Sequence, residues 1–318
     1  MTEIQLKISP TAPLYTELPY PADGIVRTVH ARIIREGVTQ HAPHLLERQM
    51  RIVDVGCGTG EQTLGLEKLF PGADIIGVDI NPPSLALAQK LAQRVQSKVH
   101  FVEADICQNL LEKLHYLAPG PFDLVSSMGV IHHLKDPRVG FRAVRQLVGP
   151  KGLFSGCVYS SYGRREDVAI KSLLDEIIHD KFDWKARYDA MRQLRIANVN
   201  SLLEHIKRFR QRLRFGPPIS IGELLQVAFK RDLMVHDSDT YSNPCEHFYR
   251  FGELRSQVTE AGWKNLFLAR RGGLPTKPGG HTNRTWELAL LERLPEDSLY
   301  DYFAFHYRAN LFYFFCQA

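Results

Sequence analysis

Short apolar runs separated by amphipathic stretches recur along the chain from about residue 51. "RIVDVGC" (51–57), "DIIGVDI" (74–80), "VHFVEAD" (99–105), "FDLVSSM" (122–128) and "GLFSGCVYS" (152–160) are rich in Val, Ile and Phe, and each follows turn residues or a polar break. They predict strands. Between two of them, "PPSLALAQKLAQRVQ" (82–96) places Leu85, Ala88, Leu91, Ala92 and Val95 at helical spacing, which predicts a helix with one apolar face. The expected fold class is α/β: repeated βαβ units give a parallel sheet with helices on both faces, and a ligand belongs at the C-terminal ends of its strands.

Outside that region the pattern changes. The stretch from Tyr162 to about Asn243 is too long for a simple connection and reads as mostly helical, with "REDVAIKSLLDEIIHDKF" and "NVNSLLEHIKRFRQRL" as its clearest helices and Pro217–Pro218 as an interruption. Further on, "WKNLFLAR" (263–270) predicts a sixth strand, "TWELALLERL" and "SLYDYFAFHY" predict helices, and "LFYFFCQA" (311–318) predicts a last, buried strand.

Composition adds bounds. With 318 residues, 44% hydrophobic and 24% charged, the chain suits one large domain with insertions or two modest ones. It has neither an 18-residue apolar run nor a basic, apolar leader at its start, so a soluble protein is expected. Cys57, Cys107, Cys157, Cys245 and Cys316 are scattered and odd in number, which suits a reducing, cytoplasmic setting and argues against a cysteine zinc site. The net charge of +5 is modest, but "SLLEHIKRFRQRLRF" (201–215) sets five bases against one acid. Two readings stay open: a surface helix with its apolar stripe at Leu202, Ile206, Phe209 and Leu213, or a groove for RNA, an acidic protein or an anionic substrate.

The chemistry concentrates in "VDVGCGTG" (53–60), where the first strand stops near Asp54 and glycines follow at 56, 58 and 60. Bare backbone there lets the chain turn sharply and a ligand lie against it, before a helix from about Glu61 offers free N–H groups. The second strand ends in Asp79, about 20 residues downstream and placed for two ribose hydroxyls. The third ends in "EADI", where Asp105 is available to an adenine amino group.

In that order, "VDVGCGTG", "GVDI", "VEADI" and "FDLVSSMGVIHHLKDP" resemble the successive motifs of class I S-adenosylmethionine-dependent methyltransferases, over roughly residues 50–160. The resemblance implies a Rossmann-like sheet with an antiparallel last strand and S-adenosylmethionine as cofactor. It places the methionine part on Gly56, Gly58 and Gly60 with Asp54 beneath, the ribose on Asp79 beside Ile80, the adenine against Asp105 and Ile106, and Met128 and Gly129 near the sulfonium. For Asp54 a turn-stabilising role is an equal alternative. His132 and His133 then stand where a methyl acceptor arrives, and a neutral histidine could remove its proton.

"ELPYPADG" (17–24), "VYSSYGR" (158–164) and the loop "DTYSNPCEHFYRFGEL" (239–254) are similar to elements of a bacterial methyltransferase subgroup with a YPYP-like N-terminal segment, although Leu18 stands where the first tyrosine would be. The resemblance implies an N-terminal cap (1–49), a cofactor core (50–161), a helical lid with acceptor loop (162–250) and a C-terminal part of the sheet (251–318). Tyr20, Tyr162, Arg164 and Tyr249 are the expected acceptor contacts, with His247 as a third catalytic candidate. Adjacent Glu246 and His247 would face different ways, so no metal is expected. The expected activity is methyl transfer to a small, polar acceptor, aromatic or carboxylate-bearing. A protein or RNA acceptor, or a cofactor-binding regulatory subunit, is the alternative. No membrane partner is expected, and the oligomeric state is open.

Overall fold

The computed structural model describes residues 10–21, 24–180, 182–194, 238–269, 284–307 and 309–318. The basic stretch 201–215 and Pro217–Pro218 lie outside the described residues. In chain order the described elements are α1 (Ala12–Glu17), α2 (Val29–His41), β1 (Arg51–Val55), α3 (Thr63–Leu69), β2 (Asp74–Asp79), α4 (Pro82–Arg94), β3 (His100–Glu103), α5 (Leu110–Leu117), β4 (Phe122–Met128), α6 (Pro137–Leu147) and β5 (Val148–Ser160). There follow α7 (Arg165–Ile177), α8 (Trp184–Gln193), β6 (Phe248–Tyr249), α9 (Phe251–Glu260), β7 (Lys264–Leu268), α10 (Thr285–Leu291), α11 (Glu296–His306) and β8 (Leu311–Gln317).

The strands form one sheet in the order β3-β2-β1-β4-β5-β8-β7, with β6 beside the end of β5. β3, β2, β1, β4 and β5 run parallel, and β8 lies antiparallel between β5 and β7. The parallel sheet is the one the pattern predicts, and the Rossmann-like order with its antiparallel last strand is the one the resemblance implied. Its apolar runs are continuous because both faces are covered: Val53, Ile76, Val125 and Phe154 pack on one side, Ile52, Ile75, Leu124 and Leu153 on the other. β8 divides the same way, with Phe312, Phe314 and Cys316 on the first face and Phe315 on the second.

One boundary differs from the pattern. β5 begins at Val148, earlier than its apolar run, because the chain already pairs with Phe122 before a register shift. α3 runs from Thr63, close to the expected start, and the Leu64 N–H already bonds the Gly60 carbonyl at 3.0 Å.

The N-terminal segment and the helices after β5 meet above the sheet. Leu14 and Leu18 of α1 bury against Trp184 of α8, with Tyr20 and Tyr188 at the edge of that cluster. Arg187 of α8, 2% exposed, pairs with Asp175 of α7. Among the described residues no helix is long and apolar enough to cross a membrane.

The glycine of the Tyr-Gly-Arg stretch is required by packing. A Cβ on Gly163 would stand 1.9 Å from the Ala309 carbonyl oxygen, so the turn after β5 fits against the chain entering β8 only without a side chain. Gly163→Ala should therefore cost roughly 1–3 kcal/mol, the usual range for overpacking, read as a lower urea midpoint. An unchanged midpoint would contradict this packing.

Candidate functional site

The glycine turn after β1 is held by the neighbouring strand. The Val78 carbonyl accepts from the N–H groups of Gly56 at 2.7 Å and Cys57 at 2.9 Å. Gly56, Gly58 and Gly60 have φ of +80°, +53° and +77°, a region side chains disfavour. Asp79, at the end of β2, accepts from Gly58 N–H at 2.8 Å and Asn81 N–H at 2.9 Å. Burial raises its carboxyl above the usual range, and these N–H groups pull it back. Ile80 follows, half-buried. Asp54, 5% exposed, accepts from the Thr63 hydroxyl at 2.6 Å and bonds Ser126. It thus ties β1 to α3 and β4.

The third and fourth strands complete the rim. Asp105 spends its carboxylate locally, accepting from Cys107 N–H at 2.7 Å and Gln108 Nε2 at 2.8 Å. Ile106 packs at the edge of the core. Met128 ends β4, and Gly129, at φ +80°, has no atom within 4 Å of where a Cβ would lie. Bare backbone, an acid with lone pairs to spare and open space at the end of β4 fit the cofactor that the motifs imply.

A segment from the N-terminus lies over this turn. The Tyr20 carbonyl oxygen stands 2.6 Å from where a Cβ on Gly58 would be, and Thr59 donates its hydroxyl to the Pro21 carbonyl. Glu61, 1% exposed, fastens the segment: it accepts from Gly24 N–H at 2.6 Å and pairs with Arg27 Nε at 2.9 Å. The Glu61 carbonyl also accepts from Arg27 N–H at 2.9 Å. Sequence patterning did not single out Glu61, since its partners lie over thirty residues away in an irregular stretch.

From Gly56 the structure leads to a second cluster. Val130 packs against Gly56, whose Cβ would meet its Cγ2 at 2.3 Å, and His132 and His133 follow on a short 3-10 turn. His132 is wholly buried, its ring 3.9 Å from that of Tyr159 and 4.1 Å from that of His133. Burial holds it well below the usual imidazole range. Burial also lowers His133 to about 4, so both rings are neutral at pH 7. Arg164 lays its guanidinium 3.6 Å from the Tyr159 ring centroid and pairs with Asp167 at 3.3 Å.

The loop before β6 closes this cluster with groups the pattern left unassigned. Asp239 accepts from the Tyr15 hydroxyl at 2.6 Å, and Asn243 Nδ2 donates to that hydroxyl at 3.0 Å. Lys171 of α7, 7% exposed, pairs with Glu246 at 2.8 Å and donates to the Asn243 carbonyl at 3.0 Å. The signal for Lys171 was a cation on the inward stripe of an amphipathic helix, three residues before buried Leu174. Tyr15 and Asp239 carried no such signal.

The other expected residues are dispersed. His247 donates its backbone N–H to the His132 carbonyl at 2.8 Å and sets Nε2 3.0 Å from the Leu134 carbonyl, bracing the loop after β4. Tyr249 alternates with Phe248: Phe248 stacks on Tyr159, while Tyr249 turns into the core and donates to Gln257 at 3.1 Å. Tyr162 packs edge-on against Phe305 of α11. Tyr20 contributes its carbonyl to the glycine turn and its ring to the edge of the α1–α8 cluster. Glu246 contacts Lys171 and His133, and His247 contacts the Leu134 carbonyl; among the described residues no group of three or more His, Cys, Asp or Glu could hold a metal ion.

The Glu61 clamp has a pH signature. Burial lifts its carboxyl to about 7, against the pull of Arg27 and the Gly24 and Ile25 N–H groups. A folded value above the ordinary one favours the folded state fully below about 4.5, and that contribution is lost as pH rises through about 7. Glu61→Gln removes it. The stability of wild type relative to this variant should therefore fall between about pH 4.5 and 7 in urea unfolding and level off above; a constant difference would contradict the burial argument.

Residues 53–154 match the methyltransferase domain family. An uncharacterized protein, syc1184_c, from a Synechococcus strain is 38% identical over 133 residues, covering 40% of this chain and 29% of its own. The ubiquinone biosynthesis O-methyltransferase of Colwellia psychrerythraea is 34% identical over 104 residues, covering 33% and 39%. The fold is similar to that of PKMT2 from Rickettsia typhi, with a TM-score of 0.60 over 94% of this chain and 55% of that one at 14% identity; PKMT2 is also known in complex with AdoHcy. The chain thus spans less than two fifths of these two sequence relatives and about half of PKMT2. The glycine turn, Asp79 and the rim of the third and fourth strands all lie within residues 53–154, the stretch that matches the methyltransferase domain family.

Proposed function

We propose that the chain transfers the methyl group of S-adenosylmethionine to a small, polar acceptor bound against His132, His133, Tyr159 and Arg164. The observation that carries this reading is a buried polar cluster, one side chain away from the glycine turn and covered by α1 and the loop before β6. Such enclosure excludes water and suits a small ligand. The resemblance to ubiquinone biosynthesis O-methyltransferases supports a hydroxyl as the nucleophile. Under this reading residues 1–49 act as cap, 50–161 as cofactor core, 162–250 as lid and acceptor loop, and 251–318 complete the sheet. A cytoplasmic setting rests on the scattered cysteines, none of which forms a disulfide.

S-adenosylmethionine, when bound, supplies an activated methyl group. The residues of the chain hold and orient. Gly56, Gly58 and Gly60 offer backbone, Asp79 offers acceptors for two hydroxyls, and neutral His132 or His133 can take the proton of the acceptor. Arg164 already answers Asp167 and lies among Glu246 and Asp239. An uncharged polar acceptor therefore fits this cluster better than the carboxylate suggested by the arginine alone.

Two experiments test the reading. Asp79→Ala should weaken cofactor binding at least about tenfold in calorimetry, because charge-assisted bonds contribute roughly 1.5–3 kcal/mol each and not additively; unchanged affinity with an intact fold would remove Asp79 from the site. With methyl-labelled cofactor and cell extract, label should enter the small-molecule fraction, and Arg164→Ala should lower turnover while leaving cofactor affinity nearly unchanged. Label in protein or RNA, abolished by charge reversal at Arg208, Arg210 and Arg212, would overturn the small-molecule reading. Binding without any transfer would point to a regulatory subunit.

A further inference from the structure

The surroundings of His133 contain a choice between two tautomers. Its Nδ1 lies 3.1 Å from the Cys245 carbonyl oxygen and 3.1 Å from Asn243 Nδ2, with Glu246 Oε1 at 3.8 Å. Asn243 cannot turn its oxygen to the ring without loss: Oδ1 accepts from Cys245 N–H at 3.2 Å, and Nδ2 donates to the Tyr15 hydroxyl, which itself donates to Asp239. So Asn243 presents a donor to Nδ1, which favours a proton on Nε2. The Cys245 carbonyl and an ionised Glu246 present acceptors to the same atom, which favours a proton on Nδ1. A neutral imidazole satisfies only one side.

We infer that Glu246 is a positioning residue: its ionised carboxylate selects the Nδ1–H tautomer of His133 and leaves Nε2 bare as the proton acceptor of methyl transfer, an inference that rests on the reading under Proposed function. With Nδ1 occupied, Nε2 takes the O–H or N–H proton of the acceptor. The lone pair of that atom forms the new bond to the methyl carbon, and the carbon–sulfur bonding pair stays on sulfur. The imidazolium so formed keeps its positive charge beside the Glu246 carboxylate. The same logic of base and orienting acid recurs where histidines serve as general bases.

The groups around Glu246 make this selection depend on pH. Burial raises its carboxyl to about 7, and Lys171 of α7, then Arg164 at the N-cap of α7, pull it down, while Asp239 before β6 raises it again. His133 lies beside it, and Tyr15 of α1 and Tyr159 of β5 are raised partly by its charge, so neither phenol ionises near neutrality. Lys171 touches Glu246 on the oxygen turned away from His133. Above about pH 7 the carboxylate is ionised and the Nδ1–H form is favoured. Below it, the donor of Asn243 prevails.

The test is nitrogen-15 resonance of the histidine-labelled full chain, with the His133 signals assigned by their loss in His133→Gln. In wild type, Nε2 should change from a protonated to a bare nitrogen as pH rises through about 7, and turnover should rise with the same midpoint. Glu246→Gln should keep Nε2 protonated throughout, lose that limb of the pH profile and lower kcat by about a hundredfold with little change in KM. Glu246→Asp should restore part of both signals, and calorimetry with S-adenosylmethionine confirms that each variant is folded. A wild-type Nε2 protonated at every pH, or a Glu246→Gln spectrum that follows wild type, would overturn the assignment. A tautomer change in wild type without methyl transfer to any acceptor would uphold the selection by Glu246 and count instead against the transferase reading.

Discussion

The site depends on a few hydrogen bonds from backbone N–H groups: those that hold the glycine turn against the end of β2. The Val78 carbonyl and the Asp79 carboxylate together capture the N–H groups of Gly56, Cys57 and Gly58. Three positive φ angles are tolerated there only because no side chain is present. Once the turn is fixed, what surrounds it follows. Val130 can pack on Gly56, the histidine turn after β4 is drawn in, and the Tyr20 carbonyl can lie over Gly58.

Around this turn the chain buries more charge than stability alone would favour. Glu61 with Arg27 holds the N-terminal segment on the turn, and Lys171 with Glu246 holds the loop before β6 on the histidines. Buried ion pairs of this kind are weak contributors to stability and strong constraints on geometry, since losing one partner leaves the other uncompensated. Both pairs sit where two segments distant in sequence must keep a fixed relation over the strand ends. That placement gives them a reason that belongs to the site.

The sheet was legible because its signals are local. Each apolar run between residues 51 and 160 became a strand, and the bulky alternation of 311–317 became the antiparallel β8. The glycine turn and Asp79 were legible for the same reason, since spacing along one βαβ unit decides them. The polar cluster was not. Tyr15 and Asp239 are 224 positions apart and His133 and Asn243 are 110 apart, and no period in the sequence links them. Tyr162 and Tyr249 show the converse: their type and position suggested an acceptor contact, whereas the strand alternation at β6 and the packing on Phe305 turn them elsewhere. Residue type names a candidate; only the register of β5 and β6 says which way it points.

Under the proposed function the N-terminal segment and the glycine turn, fastened together by Glu61, form one unit that closes around S-adenosylmethionine. Amide hydrogen exchange with and without S-adenosylmethionine measures this most directly. Peptides covering 24–28 and 56–60 should gain protection together when the cofactor is added, because the Gly24 and Arg27 amides are bonded to Glu61 at the end of the same turn. Protection at 56–60 with none at 24–28, or no protection at either, would contradict the account.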